Sequence, residues 1–329
     1  MKLNSIQALR GFAALLVVFF HTAGGMEEYY GKHFVSQLFS CGYIGVDVFF
    51  VISGFIMMYV HEKDLGNPTR WNNYIHKRLS RIYLPYWVAF IAPFLIYYLQ
   101  GRIGDGKEMS MSGAISSFLL FPQEGRTVLV VSWTLVYEMF FYLLFGLLIL
   151  NFRLGLVCMI LWAGLILACN FFSIPFPVNQ WIDLRNLEFF IGIGAALLIK
   201  RITVPEVTWK IGLVMIVGSM AWMATFSPSF GWPAAIATAV FILGAAHSFS
   251  FNARIPNWLL FSGTMSYSLY LVHTPIMLLS YKLLRALHVE NPLVAFTITL
   301  CLCIAGGMVF YHFVEKRLQE NGTKRRLVA

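Results

Sequence analysis

The chain has 329 residues, of which 59% are apolar and only 12% are charged. Soluble domains carry roughly 25% charged residues, so this composition excludes an ordinary soluble protein and indicates an integral membrane protein. We attribute the formal net charge of +9 to membrane topology and to attraction to anionic lipid, and we expect no nucleic-acid partner.

Apolar runs long enough to cross the hydrocarbon core of a bilayer recur along the whole chain. They cover residues 6–25, 41–60, 82–99, 127–150, 154–172, 184–200, 207–226, 232–250, 258–281 and 292–314. The runs are continuous and do not alternate, which favours helices over a β-barrel. We therefore expect an all-α, polytopic membrane protein with about ten transmembrane helices.

The Lys and Arg residues predict the orientation of these helices, because cytoplasmic flanks carry an excess of positive charge. Most of them fall in cytoplasmic segments when both termini are placed inside the cell. The sequence therefore predicts one membrane domain over residues 1–315, followed by a basic cytoplasmic tail over residues 316–329.

Two polar residues in the first apolar run share one helix face. His21 follows Arg10 by eleven residues, which is three turns plus roughly 20°, and places the side chains about 16 Å apart along the axis. Because both groups would be costly against lipid, we expect the face to point into a protein interior or a wet cavity. A snorkelling arginine and a hydrogen-bonded core histidine fit the same pattern.

Buried carboxylates occupy the second and fourth runs. Asp47, in the run that also holds Ser53, needs a partner, and Arg10 is the nearest intramembrane cation in sequence. Glu138 lies at a depth comparable to that of His21, so a contact between them is geometrically possible; if formed, the carboxylate would orient the imidazole and raise its basicity.

Two further polar segments can be interpreted structurally, and the first of them also has a functional interpretation. Lys77, Arg78 and Arg81 form one cationic cluster on a helix that could grip phosphates, although spacing alone favours a lipid-headgroup anchor. Arg185 and Glu188 are three residues apart and are expected to neutralise each other.

The ninth run places a polar stripe, Ser266 through His273, before a predicted kink at Pro275. His273 by itself is more typical of a satisfied interior histidine, and structural roles are expected for His312 and Glu315. The five cysteines show no spacing typical of a metal site, so no metal is predicted.

Five segments, in order and spread over nearly the whole chain, resemble the acyltransferase-3 family. These multi-helix membrane acyltransferases decorate bacterial surface polysaccharides. The matching segments are Leu9 through His21, Gly42 through Phe55, Arg78 through Tyr83, Ser132 through Tyr142 and Ser266 through His273. The stretch after Glu315 departs from the family in lacking a proline.

The resemblance implies a stand-alone O-acyltransferase of the exopolysaccharide or O-antigen type in the bacterial plasma (inner) membrane. It would move an acyl group, most often acetyl, from cytoplasmic acyl-CoA to a hydroxyl of a surface polysaccharide or lipid-linked glycan. The oligomeric state stays open, with a homo-oligomer as one option.

The resemblance also implies that the arginine and histidine of the first helix and the pair Arg78 and Arg81 are functional. We therefore predict three sets of site residues. The catalytic residues are His21, Arg10 and Glu138; the donor-binding residues are Arg78, Arg81, Lys77 and Arg10; the supporting residues are Asp47, Ser53, Trp133, Tyr137, Tyr270 and His273. They are expected to line a water-accessible passage that opens to the cytoplasm at Arg10 and ends near the outer face at His21.

Two other classes of protein also place ionisable groups within membrane helices. A secondary transporter or proton-coupled carrier should show paired halves and interrupted helices in matching positions, and neither is evident in the sequence. A non-catalytic scaffold would have no reason to string ionisable groups through several spans.

Overall fold

The computed structural model describes residues 4–104, 106–226 and 231–320, and these residues are predominantly helical. The helices are α1 (Asn4–Tyr30), α2 (His33–Phe39), α3 (Ile44–His61), α4 (Trp71–Leu99), α5 (Met111–Leu119), α6 (Trp133–Leu150), α7 (Phe152–Phe171), α8 (Asn179–Ile182), α9 (Leu187–Leu198), α10 (Thr208–Phe226), α11 (Trp232–His247), α12 (Phe249–Ala253), α13 (Asn257–Thr264), α14 (Ser266–Ala286) and α15 (Pro292–Phe310).

Each apolar run predicted from the sequence overlaps at least one of these helices. Seven helical segments of the described residues are long and apolar enough to cross a membrane: Asn4–Tyr30, His33–Asp64, Pro68–Leu99, Val130–Leu150, Phe152–Phe171, Thr208–Phe226 and Pro292–Glu320. The all-helical, multi-pass architecture is thereby confirmed, whereas the count of about ten spans and the cytoplasmic termini stay predictions.

Two predicted boundaries differ from the structure. The run 258–281 is divided at Met265 into α13 and α14, and this break lets both helices pack against α1. Pro275 lies within α14 without ending it. At the other end, the helix that contains α15 continues through a π-helical turn, Tyr311–Glu315, to Glu320. Residues 321–329 of the predicted tail lie outside the described residues.

The outer surface of the bundle is apolar. On α7, Leu154, Val157, Ile160 and Leu161 are all exposed, and α15 exposes Leu293 in the same way. A helix that presents apolar side chains outward while its polar groups point inward is suited to contact with lipid.

Helix α3 lies at the centre of the bundle and packs against α1, α9 and α11. Its contact with α9 is unusually close, because Gly54 abuts the backbone of Phe189 while Gly192 abuts the backbone of Val51. Small residues allow two membrane helices to approach in this way. The tight packing brings Asp47 of α3 and Glu188 of α9 into the same buried layer.

Candidate active site

A cavity of about 100 Å³ lies between α1, α3, α4, α6 and α14, large enough for several water molecules. Arg10, Arg78, Arg81 and Glu138 are its charged lining residues. Its apolar lining comes mainly from α3, with Val46, Phe49, Phe50, Ile52 and Ile56. The cavity therefore combines a strongly cationic end with a hydrocarbon wall.

Arg10 points into this cavity from α1. Its Nη2 donates a hydrogen bond of 3.0 Å to Oγ of Ser266, and its guanidinium also interacts electrostatically with Glu138 and Glu315. The predicted pairing of Arg10 with Asp47 is wrong, because Asp47 lies in the packed layer between α3 and α9. The expectation that Arg10 faces an interior cavity is confirmed.

Glu138 lines the cavity from α6. It accepts hydrogen bonds from Oγ of Ser53 at 3.0 Å and from the hydroxyl of Tyr142 at 2.5 Å. The contact with His21 that the sequence left possible does not form in this structure, because these two hydroxyls hold the Glu138 carboxylate at the Arg10 end. A catalytic role for Glu138 stays a prediction, and any such role acts within the cavity.

Arg78 and Arg81 line the cavity and are half-buried, whereas Lys77 is exposed and outside it. The structure thus separates the third cation of the predicted cluster from the other two. Helical spacing cannot distinguish these faces without knowledge of which side of α4 meets its neighbours.

A short relay that the sequence analysis missed holds Arg78 in place. Its Nη2 donates to Nε2 of His61 at 3.0 Å, and Nδ1 of His61 donates to Oδ2 of Asp64 at 2.9 Å. The guanidinium also lies 5.7 Å from the ring centre of Tyr142. The His61 and Asp64 spacing at the end of an apolar run was the available signal.

At the other end of α1, His21 meets His273 of α14. Nδ1 of His21 lies 2.9 Å from the carbonyl oxygen of Val17 and 3.3 Å from Nε2 of His273. Nδ1 of His273 lies 3.1 Å from the carbonyl oxygen of Leu269. His21 is half-buried, and His273 is fully buried. The interaction was not predicted, because 252 residues separate the two histidines.

Tyr270 stands between the cavity and this histidine pair. It lines the cavity, and its ring centre lies 5.9 Å from that of His273. Its hydroxyl is 2.7 Å from Oγ1 of Thr134 and donates to the carbonyl of Val131 at 3.0 Å. His21 is not among the residues that line the described cavity. The described cavity therefore reaches Tyr270, which we call the Tyr270 wall, and does not extend to His21. A continuous passage from Arg10 to His21 stays a prediction.

Asp47 and Glu188 form a second buried charged group, far less open than the first. Both are fully buried, and their carboxyl groups lie close enough to interact with each other. Within the described residues neither carboxyl accepts from an N–H or O–H of any other residue. Two carboxyl groups buried this close together cannot both ionise at low cost, so we expect one acid to keep its proton and donate a hydrogen bond to the other.

Arg185 and Asp183 adjoin this carboxyl pair. Nη1 of Arg185 donates to Oδ2 of Asp183 at 3.1 Å, and the hydroxyl of Tyr137 donates to the same oxygen at 3.0 Å. The guanidinium lies over the rings of Tyr43 and Trp133, at 5.5 and 5.8 Å. Within the described residues Arg185 forms its ion pair with Asp183 and not with Glu188 as expected, although its charge still acts on Glu188 electrostatically.

Glu315 is buried, and it accepts hydrogen bonds from Oγ of Ser268 at 2.5 Å and from Nε2 of Gln319 at 3.0 Å. The π-helical turn that ends at Glu315 is of a kind often found at functional sites. His312, in contrast, is exposed, and its hydrogen bond within the described residues is to its own helix, at 3.2 Å from the carbonyl of Met308.

Comparison with known proteins supplies the family. The chain is 28% identical over 331 residues to "Exopolysaccharide production protein ExoZ" of Rhizobium meliloti (strain 1021), covering 94% of this chain and 97% of that protein. It is also 28% identical over 231 residues to "Acyltransferase MdmB" of Streptomyces mycarofaciens, covering 60% of this chain and 58% of that protein. No solved structure matches the chain.

The family model described as an acyltransferase domain matches residues 3–312, which is nearly the whole chain and includes both ends of the site. The resemblance noted in the sequence is thereby confirmed. This multi-pass membrane protein belongs to the acyltransferase-3 family.

Proposed function

We propose that this protein transfers an acetyl group from acetyl-CoA to a hydroxyl of a surface polysaccharide or lipid-linked glycan, across the bacterial inner membrane. One observation carries the proposal: Arg10, Arg78 and Arg81 line an interior cavity whose far wall, Tyr270, contacts the His21 and His273 pair. Family membership supports acyl transfer and disfavours the transporter alternative.

The cationic end of the cavity is suited to the donor. Arginine forks bind phosphate oxygens in a bidentate manner, and two of them projecting from one helix can hold the phosphates of a coenzyme. The His61 relay fixes the direction of the Arg78 guanidinium. We place this end at the cytoplasmic face, because the excess of positive residues flanks it.

The histidine end is suited to the acceptor. In the proposed reaction His21 takes the proton of the attacking hydroxyl, whose oxygen adds to the thioester carbonyl to form a tetrahedral intermediate. The carbon–sulfur bond then breaks, and the leaving thiolate takes up the proton that His21 holds. A relay through an acetylated His21 uses the same residues. In either route Tyr270 must move aside for the thioester to reach the imidazole.

The acceptor class rests on a relative. ExoZ is named for exopolysaccharide production and matches this chain over almost its full length. A sugar hydroxyl at or beyond the outer face is therefore the acceptor that we propose.

Release of free coenzyme A by the purified protein tests the reaction. Wild-type protein is supplied with acetyl-CoA and polysaccharide from the producing bacterium, and compared with His21→Ala. We expect the substitution to lower turnover by at least about 100-fold, as for loss of a general base, while acetyl-CoA still binds. His312→Ala is the matched control, and wild-type turnover by His21→Ala would remove the proposed base.

The donor site is tested separately by acetyl-CoA binding. Replacing Arg78 and Arg81 together with alanine should weaken binding by at least about 100-fold, since two charge-assisted contacts of roughly 1.5 kcal/mol or more each are lost. Lys77→Ala, on the same helix but outside the cavity, should leave affinity unchanged. If wild type, the double-arginine variant and Lys77→Ala bind acetyl-CoA with equal affinity, the two arginines are better interpreted as a lipid-headgroup anchor.

A further inference from the structure

We infer that His273 is a positioning residue for His21, accepting a hydrogen bond from Nδ1–H of His21 so that Nε2 of His21 is the nitrogen that takes up the proton. The inference rests on the proposed function, because it specifies how the proposed base is held. It follows from the acceptors that surround the two rings.

The protonation of His273 is set by its own helix. Its Nδ1 lies 3.1 Å from the carbonyl oxygen of Leu269. A carbonyl oxygen can only accept, so Nδ1 carries the hydrogen. A neutral imidazole has one N–H, which leaves Nε2 of His273 with its lone pair exposed toward His21.

The same reasoning fixes the tautomer of His21. Its Nδ1 faces two acceptors, the carbonyl oxygen of Val17 at 2.9 Å and Nε2 of His273 at 3.3 Å. Two acceptors facing one nitrogen require that this nitrogen carry the hydrogen. The lone pair of neutral His21 therefore resides on Nε2, the nitrogen directed away from His273.

His273 also stabilises the charged form of His21. When Nε2 takes up a proton, Nδ1–H becomes a stronger donor, and the neutral imidazole of His273 accepts from it within a buried, weakly screened environment. The ring of His273 is fully buried, and the ring of Phe20 packs edge-on against the ring of His21, with the ring centres 5.1 Å apart. Packing therefore holds both histidine rings in place. A neutral histidine thus stands where the sequence left a contact with Glu138 possible.

Two substitutions at position 273 separate this role from mere packing. His273→Leu keeps an apolar side chain of similar bulk but has no acceptor, whereas His273→Gln restores an acceptor oxygen. We expect kcat to fall about 30-fold in His273→Leu, with acetyl-CoA affinity within about twofold of wild type. The glutamine variant should recover at least about fivefold over the leucine variant.

The matched control is His312→Leu, because His312 makes the same bond to its own helix but meets no second histidine. It should keep wild-type kcat. Equal losses in His273→Leu and His273→Gln, accompanied by equal falls in melting temperature, would overturn the inference and leave a structural residue. Wild-type kcat in His273→Leu would overturn it as well.

A measurement on the wild-type protein keeps the inference open to refutation even where the variants fail to fold. Nitrogen-15 NMR of histidine-labelled protein in detergent should show His21 with its hydrogen on Nδ1, and a hydrogen on Nε2 overturns the assignment. An absence of coenzyme A release from wild type, with the Nδ1 hydrogen in place, would refute the proposed function and not the tautomer.

Discussion

Two groups of charged residues lie inside this helical bundle, and they are organised in opposite ways. The cavity group, Arg10, Arg78, Arg81 and Glu138, surrounds open space. The packed group, Asp47, Glu188, Asp183 and Arg185, is enclosed by helices and aromatic rings. In the packed group Arg185 is paired with Asp183, and Asp47 and Glu188 adjoin each other, whereas the cavity group holds three cations against one lining carboxylate.

This difference identifies which buried charges serve function. An ionisable residue within a membrane is a functional candidate by default. In the packed group, however, the cost of burying charge is offset by the proton that we expect Asp47 and Glu188 to share and by the ion pair of Arg185 with Asp183. We therefore interpret this group as structural. The cavity group has excess positive charge and room beside it, as expected for residues that await an anionic ligand.

The largest expected effect on stability comes from removing Glu188, the acid that we expect to share a proton with Asp47. Glu188→Leu leaves the buried Asp47 carboxyl without its partner, and a buried group left unsatisfied costs roughly 1–3 kcal/mol, and more when it is charged. Glu188→Gln keeps a donor to Asp47 and should cost only about 1 kcal/mol. Thermal unfolding in detergent compares the two, and equal melting temperatures would contradict the shared-proton arrangement.

Removal of a cavity cation should act on activity and not on stability. Arg10→Ala should lower kcat/KM for acetyl-CoA by about 100-fold, in the range seen when one member of a buried charged contact is truncated, with the melting temperature close to that of wild type. Arg185→Ala, in the packed group, should lower the melting temperature instead. The comparison fails if Arg10→Ala unfolds as readily as Arg185→Ala while both retain activity.

The packed layer also depends on the close approach of α3 and α9. A methyl group at Gly54 meets the backbone of Phe189, so Gly54→Ala should destabilise the protein by about 1–3 kcal/mol. Gly194→Ala on α9 is the control, since nothing lies within 4 Å of its added carbon. Melting temperatures in one detergent test this, and equal values for both variants would show that the helices tolerate separation.

The smallest effect is expected at Ser53, one of two hydroxyls that hold Glu138. Ser53→Ala removes one hydrogen bond and leaves that of Tyr142, a loss of about 1 kcal/mol or roughly fivefold in kcat. Ser219→Ala is a suitable control, because the hydroxyl of Ser219 donates a hydrogen bond within its own helix. A steady-state assay compares the kcat values of the two variants. An unchanged kcat in Ser53→Ala would contradict a role for Glu138 in the reaction.

The sequence predicted buried faces better than it predicted which residues meet. Periodicity and hydropathy placed Arg10 and His21 on an interior face, and every apolar run overlaps a helix. Which helix faces which is not written in one sequence, because it depends on long-range packing. From the sequence, Glu138 was a possible partner for His21, whereas in the structure His21 contacts His273. In the same way, Arg10 was considered for Asp47, whereas Asp47 lies beside Glu188.

The same limit explains the missed relay at Arg78. His61 ends an apolar run and Asp64 begins a loop, so each is unremarkable alone. Only the fold brings them against α4, where they direct a guanidinium into the cavity. Residues that act through others leave a weaker mark in the sequence than residues that act directly.

The Tyr270 wall has a consequence for the cell that houses this protein. An unobstructed water column from the cytoplasm to the exterior would let protons flow down the electrochemical gradient and drain the energy of the membrane. In the proposed orientation Tyr270 would separate the cavity at the cytoplasmic face from the histidine pair near the outer face, and its two hydroxyl contacts are neutral hydrogen bonds worth only about 1 kcal/mol each. A barrier held this weakly would open at low cost for an arriving thioester and close again behind it.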